Sequence, residues 1–227
     1  MQHILDIDKV EAHQVHPDPL PPNFPLPRKL QKAGYVPDIR DLQPGDLILS
    51  SRASRLDLVS RGTSLIQGWG GYFPEHARWT HAAVYLGELF MICEATRDGV
   101  RLGTLLDTAA SSVFRVRRGQ HGAAFIDRET GWRTALFSVA QITKNYDYSQ
   151  IKELGQLAVT PGFAEYQQKP PKDGDEAAIC SVVFQDAYCR ATGILLQNTM
   201  SREVTPAFLS ATDLLKDVPC GWRKLHA

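Results

Sequence analysis

The sequence lacks the features that would assign it to a membrane or nucleic-acid-binding class. No apolar run approaches the roughly 18 residues that cross a bilayer, so no transmembrane segment is predicted. Neither sign of charge dominates, because 25 Lys and Arg residues balance 25 Asp and Glu residues. These charges are interspersed, and in the absence of a basic stripe we expect no nucleic-acid partner.

The sequence also has little that indicates export or a metal site. Residues 1–9 contain neither the basic nor the apolar region of a signal peptide. We therefore expect a cytoplasmic protein, or one secreted by a signal-peptide-independent route. The four cysteines show no C-x-x-C spacing, so we predict no metal site and no cofactor. Their scatter is typical of reduced thiols, while the even count leaves a disulfide open.

The length of 227 residues suits one well-packed domain. Residues 16–27 hold six of the fourteen prolines, which favours extended, polyproline-like chain. We divide the sequence into a proline-rich N-terminal arm at 1–40, docked on the domain, and a single domain at 41–227. The alternative for the arm is a ligand for a proline-binding module.

Residues 79–96 have the pattern of a β-hairpin. Two apolar runs rich in strand-forming residues meet at Gly87-Glu88. With those two residues as the loop, His81 is expected directly opposite Glu94. Directly opposed residues share a face with Cβ atoms ~5 Å apart, so the carboxylate would hold the imidazole.

A candidate nucleophile lies in the second half of the chain. Residues 173–188 carry acidic residues and then apolar residues at helical spacing, and residues 192–193 are a helix stop. Cys180 is then expected in the first turn, where free N–H groups and the helix dipole favour a thiolate. Such a cysteine is more often a small buried hydrophobe. The predicted pair of His81 and Glu94 favours a nucleophile, base and orienting carboxylate instead.

The order His, Glu, Cys resembles that of the circularly permuted NlpC-type papain-like hydrolases, the YiiX-like proteins. Lecithin retinol acyltransferase is a more distant relative. The matching segments are, in order, 42–49 (LQPGDLIL), 80–87 (THAAVYLG), 94–96 with 99–100, 146–148 (YDY), 179–181 (ICS) and 205–206 leading into 212–215. One departure is Val182 after Ser181, where members commonly carry Ser-Glu, and it affects substrate contacts near the nucleophile.

The resemblance implies an α+β fold of permuted papain-like (NlpC-type) kind, with an antiparallel sheet packed against the helix that carries Cys180. It implies a cysteine hydrolase that works through a thioester on Cys180, with His81 as base and then acid and Glu94 orienting it. The leading expectation is cleavage of an amide bond in a peptide or cell-wall substrate. The alternatives are acyl chemistry on membrane phospholipids and a binding module with a vestigial triad.

YiiX-like and related permuted domains include proteins thought to act on cell-wall peptides or membrane lipids, and some of these proteins are secreted toxins. This resemblance motivates the hypothesis of an antibacterial effector that attacks an envelope component, with a cognate inhibitor (immunity) protein as partner. The aromatic segment at 69–73, just before the histidine strand, would suit an acyl chain or a membrane interface. The other interpretation is a surface turn whose aromatic rings pack into the core.

The remaining pattern predicts elements around this site. Asp46 is expected to brace the turn into a strand at 47–50, because aspartate accepts backbone hydrogen bonds in turns, and Cys93 is expected in the core. The other predicted elements are a helix at 52–67, strands at 100–102 and 113–117, a helix at 123–144 weakened by Gly131, a connection at 149–175, a short helix near 213–216 and an edge strand at 222–225.

Overall fold

The structure is a computed structural model of the chain. It describes residues 2–20, 25–52, 58–69, 71–96, 99–122, 124–142, 180–196 and 204–225. Three sequence predictions lie outside these residues: the Tyr-Asp-Tyr segment at 146–148, the connection at 149–175 and the acidic approach to Cys180 at 173–179.

The described residues form ten strands and seven α-helices. The strands are β1 (Val15–Leu20), β2 (Tyr35–Pro37), β3 (Leu47–Arg52), β4 (His81–Tyr85), β5 (Met91–Thr96), β6 (Gly99–Thr104), β7 (Ser112–His121), β8 (Ala124–Phe125), β9 (Leu215–Asp217) and β10 (Trp222–Leu225). The helices are α1 (Arg28–Ala33), α2 (Leu58–Trp69), α3 (Pro74–Ala77), α4 (Leu105–Ser111), α5 (Arg128–Val139), α6 (Cys180–Thr192) and α7 (Pro206–Ala211). No helix among them combines the length and apolar character that a membrane crossing requires.

The main sheet is antiparallel and has seven strands in the order β6-β5-β4-β3-β7-β8, with β9 also paired to β7. Successive side chains of a strand point to opposite faces of the sheet. In the central strands the side chains on both faces are buried, and they belong to two different core clusters. Ala82 and Val84 of β4 belong to one core cluster, and Ala83 and Tyr85 belong to the other. The predicted α+β class with an antiparallel sheet is confirmed.

The two faces of the sheet are covered by different parts of the chain. The first cluster contains Val183, Phe184 and Tyr188 of α6, which packs against β4, β5 and α5. The Gln141 side-chain amide, just after α5, donates to the Val183 carbonyl oxygen at 3.1 Å, and the Ser181 hydroxyl donates to the Val204 carbonyl oxygen at 2.6 Å. These bonds tie the start of α6 to the residues that follow α5 and to the residues that precede α7.

The second face is covered by the N-terminal segment. Leu5 exchanges two backbone hydrogen bonds with Phe114 of β7, at 2.8 and 2.9 Å. The proline-rich residues supply β1, which lies parallel to β10 in a three-stranded sheet of order β1-β10-β2. The arm is therefore docked, whereas the boundary at residue 40 stays a prediction. The strand predicted at 222–225 exists as β10, but it lies between β1 and β2, so the prediction that it is an edge strand is wrong.

Two predicted helices differ from those observed. The helix expected at 123–144 is shorter, because Asp127 caps its start by accepting a hydrogen bond from the Thr130 N–H at 2.7 Å. The residues before it form β8 instead. The helix expected near 213–216 is wrong: α7 lies earlier in the chain, where the Thr205 hydroxyl caps it, and the following residues pair with β7 as β9.

Candidate active site

The hairpin of β4 and β5 exists, but its register differs from the prediction by two residues. Glu94 lies opposite Ala83, and not opposite His81. The connection is longer than two residues, because the Leu86 N–H donates to the Met91 carbonyl oxygen at 2.9 Å. A shift of two keeps every side chain on its predicted face, so His81 and Glu94 are diagonal neighbours.

The imidazole and the carboxylate meet as predicted. His81 Nε2 lies 2.9 Å from Glu94 Oε2. The other oxygen, Oε1, accepts two hydrogen bonds from Arg101, from Nε at 3.1 Å and from Nη2 at 3.0 Å. Arg101 lies directly opposite Glu94 in the pairing of β5 with β6. The carboxylate is therefore shared between a titratable base and a permanent cation.

Arg101 is the site residue that the sequence prediction missed. The signal that could have found it is Asp98-Gly99, a dipeptide typical of tight hairpin turns. That turn signal between the strands that carry Glu94 and Arg101 would have placed the two residues on neighbouring strands.

The Cys180 side chain completes a line of three groups. Cys180 is the first described residue of α6, and its thiol lies beside the His81 ring, near enough for each group to shift the pKa of the other. Because Glu94 engages Nε2, Nδ1 is the ring nitrogen available to the sulfur. The backbone N–H groups of Ala82 and Ser181 also lie near the sulfur and help to lower the pKa of Cys180. The structure thus brings all three predicted site residues together.

The electrostatics of the pair favour a thiolate and an imidazolium. Burial alone raises the pKa of a thiol and lowers that of an imidazole, because it removes water from the charged form. Here the opposite charge and the hydrogen bond of His81 outweigh burial and lower the pKa of Cys180. In the same way Cys180, and then Glu94, outweigh burial and raise the pKa of His81.

The Glu94 carboxylate is ionised under the same balance. Burial raises its pKa, but the hydrogen bond and charge of His81, followed by those of Arg101, outweigh it and lower the pKa below its usual range. An ionised carboxylate on Nε2 supports the imidazolium and fixes the orientation of the ring.

The other cysteines lie in different surroundings. Cys93 is fully buried on the opposite face of β5, and its thiol donates to the Ser138 carbonyl oxygen at 3.4 Å, as the predicted core position requires. Burial raises the pKa of Cys93 to about 11 and also raises that of Cys220. All four cysteines are free thiols, and Cys189 is half-buried.

The aromatic segment before β4 is exposed. More than half of the surface of Leu65, Trp69 and Phe73 is accessible, so these side chains do not pack into the core. The segment is nevertheless anchored beside the histidine strand. The buried side-chain amide of Gln67 donates to the carbonyl oxygens of Ala77 and Trp79, at 3.0 and 2.8 Å.

No protein-family model and no curated protein sequence matches the chain. Among solved structures, the chain is similar to the crystal structure of the metalloprotein YiiX from Escherichia coli O157:H7. The TM-score is 0.50, the sequence identity is 17%, and the match covers 78% of this chain and 96% of that chain. At this identity the likeness concerns the fold alone. The chain therefore has a YiiX-like α+β fold.

Proposed function

We propose that the protein is a cysteine hydrolase of the permuted NlpC-type papain-like kind, with lecithin retinol acyltransferase as a distant relative. Its proposed reaction is cleavage of an amide bond in a peptide or cell-wall substrate through a thioester on Cys180. The observation that carries the proposal is the position of the His81 ring, which is bonded to Glu94 at 2.9 Å and lies beside the thiol of Cys180. The YiiX-like fold supports it, because the order His81, Glu94, Cys180, predicted from the local patterns, resembles the order in that group.

The proposed reaction has two halves. The Cys180 thiolate attacks the carbonyl carbon of the substrate, and the His81 imidazolium gives its proton to the leaving amine as the carbon–nitrogen bond breaks. Neutral His81 then takes a proton from water, which attacks the thioester. The carboxylic acid leaves, and the thiolate and imidazolium are restored. The N–H groups of Ala82 and Ser181 lie beside the sulfur, where donors would stabilise the oxyanion.

The structural neighbour is a metalloprotein, which raises the question of whether this chain could hold a metal ion. None of the groups of His, Cys, Asp and Glu within the described ranges has three or more members arranged to hold an ion. Within the site, each oxygen of Glu94 already accepts a hydrogen bond, from His81 or from Arg101. The described residues do not fit a metal centre, and no step of the proposal uses one.

A second candidate is acyl transfer or hydrolysis on membrane phospholipids. The exposed side chains of Leu65, Trp69 and Phe73 favour it, because they form an apolar surface beside the entry to β4. Leu65 and Trp69 are four residues apart on α2 and so share one face of the helix. Aromatic side chains of this kind suit a membrane interface. The leaving group would then be an alcohol, with the same thioester on Cys180.

A trapped acyl-enzyme tests the chemistry without knowledge of the substrate. Purified protein is incubated with p-nitrophenyl acetate, and the adduct is located by peptide mass spectrometry. We expect an acetyl group on Cys180, formed much more slowly in His81→Ala and absent in Cys180→Ala. Absence of any adduct in the native protein would instead favour a binding module with a vestigial triad.

Products from bacteria that express native protein or Cys180→Ala distinguish the two substrates. New amino groups in peptide or cell-wall fragments would support amide cleavage, and released fatty acids would support the lipid candidate. Expression in the cytoplasm and in the periplasm extends the test to the effector hypothesis, which includes a cognate immunity protein. If neither location harms cells in a Cys180-dependent way, the effector hypothesis fails.

A further inference from the structure

We propose that β6 orients the catalytic carboxylate, with Arg101 and Gly103 as positioning residues for Glu94. The inference rests on the proposed function, in which Glu94 orients His81. In this arrangement Arg101 fixes one oxygen of the carboxylate, and the missing side chain at Gly103 leaves room for it.

Both hydrogen bonds of Arg101 go to the same oxygen of the Glu94 carboxylate. Nε and Nη2 both donate to Oε1, at 3.1 and 3.0 Å, while Oε2 is left to accept from His81 Nε2 at 2.9 Å. A guanidinium holds its donors in a rigid plane, so two bonds to one oxygen restrict rotation of the carboxylate. Oε2 is thereby held toward the imidazole.

Gly103 leaves the space that this oxygen occupies. A Cβ atom added at Gly103 would lie 2.8 Å from Oε1 and 3.3 Å from Cδ of Glu94. The φ angle of Gly103 is outside the left-handed region, so the glycine is not required by backbone conformation. An alanine here would fit the strand but would push the end of the Glu94 side chain away from its position.

Orientation, more than charge, is the contribution expected of Arg101. Its side chain is 56% exposed, so solvent and salt screen its charge. The titratable and charged groups that contact Glu94 within the described residues are His81 from β4 and Arg101 from β6. Cys93 senses the carboxylate charge from the opposite face of β5, and Cys180 is linked to Glu94 through His81. A displaced carboxylate supports the imidazolium less, and the thiolate of Cys180 is then less stable.

The test is the pH dependence of alkylation of Cys180 by iodoacetamide, followed by peptide mapping. Gly103→Ala displaces the carboxylate without changing charge, Arg101→Gln removes the two donors, and Arg101→Lys keeps the charge but lacks the planar pair of donors. We expect Gly103→Ala and Arg101→Gln to move the acid limb of the profile upward by about half to one pH unit, which is roughly three- to tenfold in rate on that limb. Arg101→Lys should recover only part of the loss.

Two matched variants control for the type of change. Gly68→Ala adds a Cβ with no atom within 4 Å. Arg190→Gln breaks an ion pair to Asp186 at a side chain that is 57% exposed, close to the exposure of Arg101. Both should keep the native profile, and all variants should unfold within a few degrees of the native protein.

The outcomes separate this inference from the proposed function. Native profiles in Gly103→Ala and Arg101→Gln, together with a shifted profile in Glu94→Gln, would overturn the positioning role of β6 and leave the triad intact. An unshifted profile in Glu94→Gln and His81→Ala as well would overturn the proposed function and this inference together.

Discussion

Two of the carboxylate–arginine pairs at the main sheet, Asp46 with Arg118 and Glu94 with Arg101, differ in how the oxygens are used. In the buried pair, Arg118 donates to both oxygens of Asp46, at 2.6 and 2.8 Å, and the Gln43 N–H also donates to Oδ2 at 2.8 Å. In the other pair, Arg101 donates to a single oxygen of Glu94. A carboxylate with both oxygens held by one arginine braces the fold, whereas Glu94 gives one oxygen to Arg101 and the other to His81 and is able to orient that titratable partner.

The surroundings of the two pairs follow the same division. The Asp46 side chain is 1% exposed, as expected of the residue that braces the turn into β3. Backbone atoms of Pro44 and Gly45 in this turn approach the backbone of Gly131 in α5 so closely that a Cβ at either glycine would clash. The Glu94 side chain is 12% exposed and lies beside the partly exposed ring of His81.

The largest expected effect is the loss of turnover when Cys180 or His81, the two reactive groups next to Glu94, is replaced. Cys180→Ala or His81→Ala should lower hydrolysis of p-nitrophenyl acetate by about 10⁴-fold or more, because Cys180 supplies the nucleophile and His81 the proton transfer in the proposed reaction. Steady-state hydrolysis measures this, with Cys189→Ala as the matched control. Comparable loss in the Cys189 variant, or residual turnover in Cys180→Ala, would contradict the assignment.

The next effect concerns stability at the buried pair. Asp46→Asn keeps the shape of the side chain but leaves the buried Arg118 without a counter-charge, and we expect a loss of about 3–5 kcal/mol in the free energy of unfolding. Urea unfolding measures it. The alkylation profile of Cys180 should be unchanged where the variant is folded. A loss below about 1 kcal/mol would show that the comparison between the two pairs is wrong.

In contrast to Asp46→Asn, Glu94→Gln should have a large effect on turnover and a small effect on stability. We expect turnover to fall about 10- to 100-fold because the amide stabilises the imidazolium less, while the free energy of unfolding changes by less than about 1 kcal/mol. Since the pKa of Glu94 is lowered in the folded protein, its charge stabilises the fold above the usual carboxyl range. That contribution is lost as the pH falls through the folded pKa, so the stabilities of native protein and variant should converge in acid. A destabilisation as large as that of Asp46→Asn would make Glu94 a structural residue.

The smallest effect is expected at the exposed aromatic segment. Replacing Trp69 and Phe73 by Ser should change the free energy of unfolding by about 0.5 kcal/mol or less, because both side chains are exposed. Hydrolysis of soluble p-nitrophenyl acetate should be unaffected. Loss of activity on phospholipid vesicles alone would favour the lipid candidate over amide cleavage.

Local patterns predicted the site better than they predicted the register around it. The hairpin connection is longer than expected because Leu89 and Phe90 adopt positive φ angles of 56° and 61°, which a sequence without glycine at those positions does not indicate. His81 and Glu94 still meet because the error was an even number of residues. Propensity alone predicts that Gly131 weakens α5, whereas the close approach of the Pro44 backbone requires a glycine there.

The elements that the sequence failed to predict depend on long-range contacts. The segment of α7 and β9 is held by the buried side chain of Arg117 in β7, which donates to the carbonyl oxygens of Leu209, Thr212 and Leu215. No local pattern in that segment encodes a donor that lies about ninety residues earlier. The short helix α4 escapes prediction for a different reason: its seven residues are too few to show a helical periodicity.

The most direct test of the account is the rate of Cys180 alkylation by iodoacetamide in the native protein as a function of pH. We predict that Cys180 reacts first and keeps its reactivity through neutral pH, well below the usual thiol pKa of about 8.5, because His81 stabilises its thiolate. Cys93 and Cys220 should react only after unfolding, since burial raises the pKa of each thiol. Two results would contradict the thiolate–imidazolium pair. One is an alkylation rate of Cys180 no higher than that of the other cysteines, and the other is a rate that rises only near the usual thiol pKa of about 8.5.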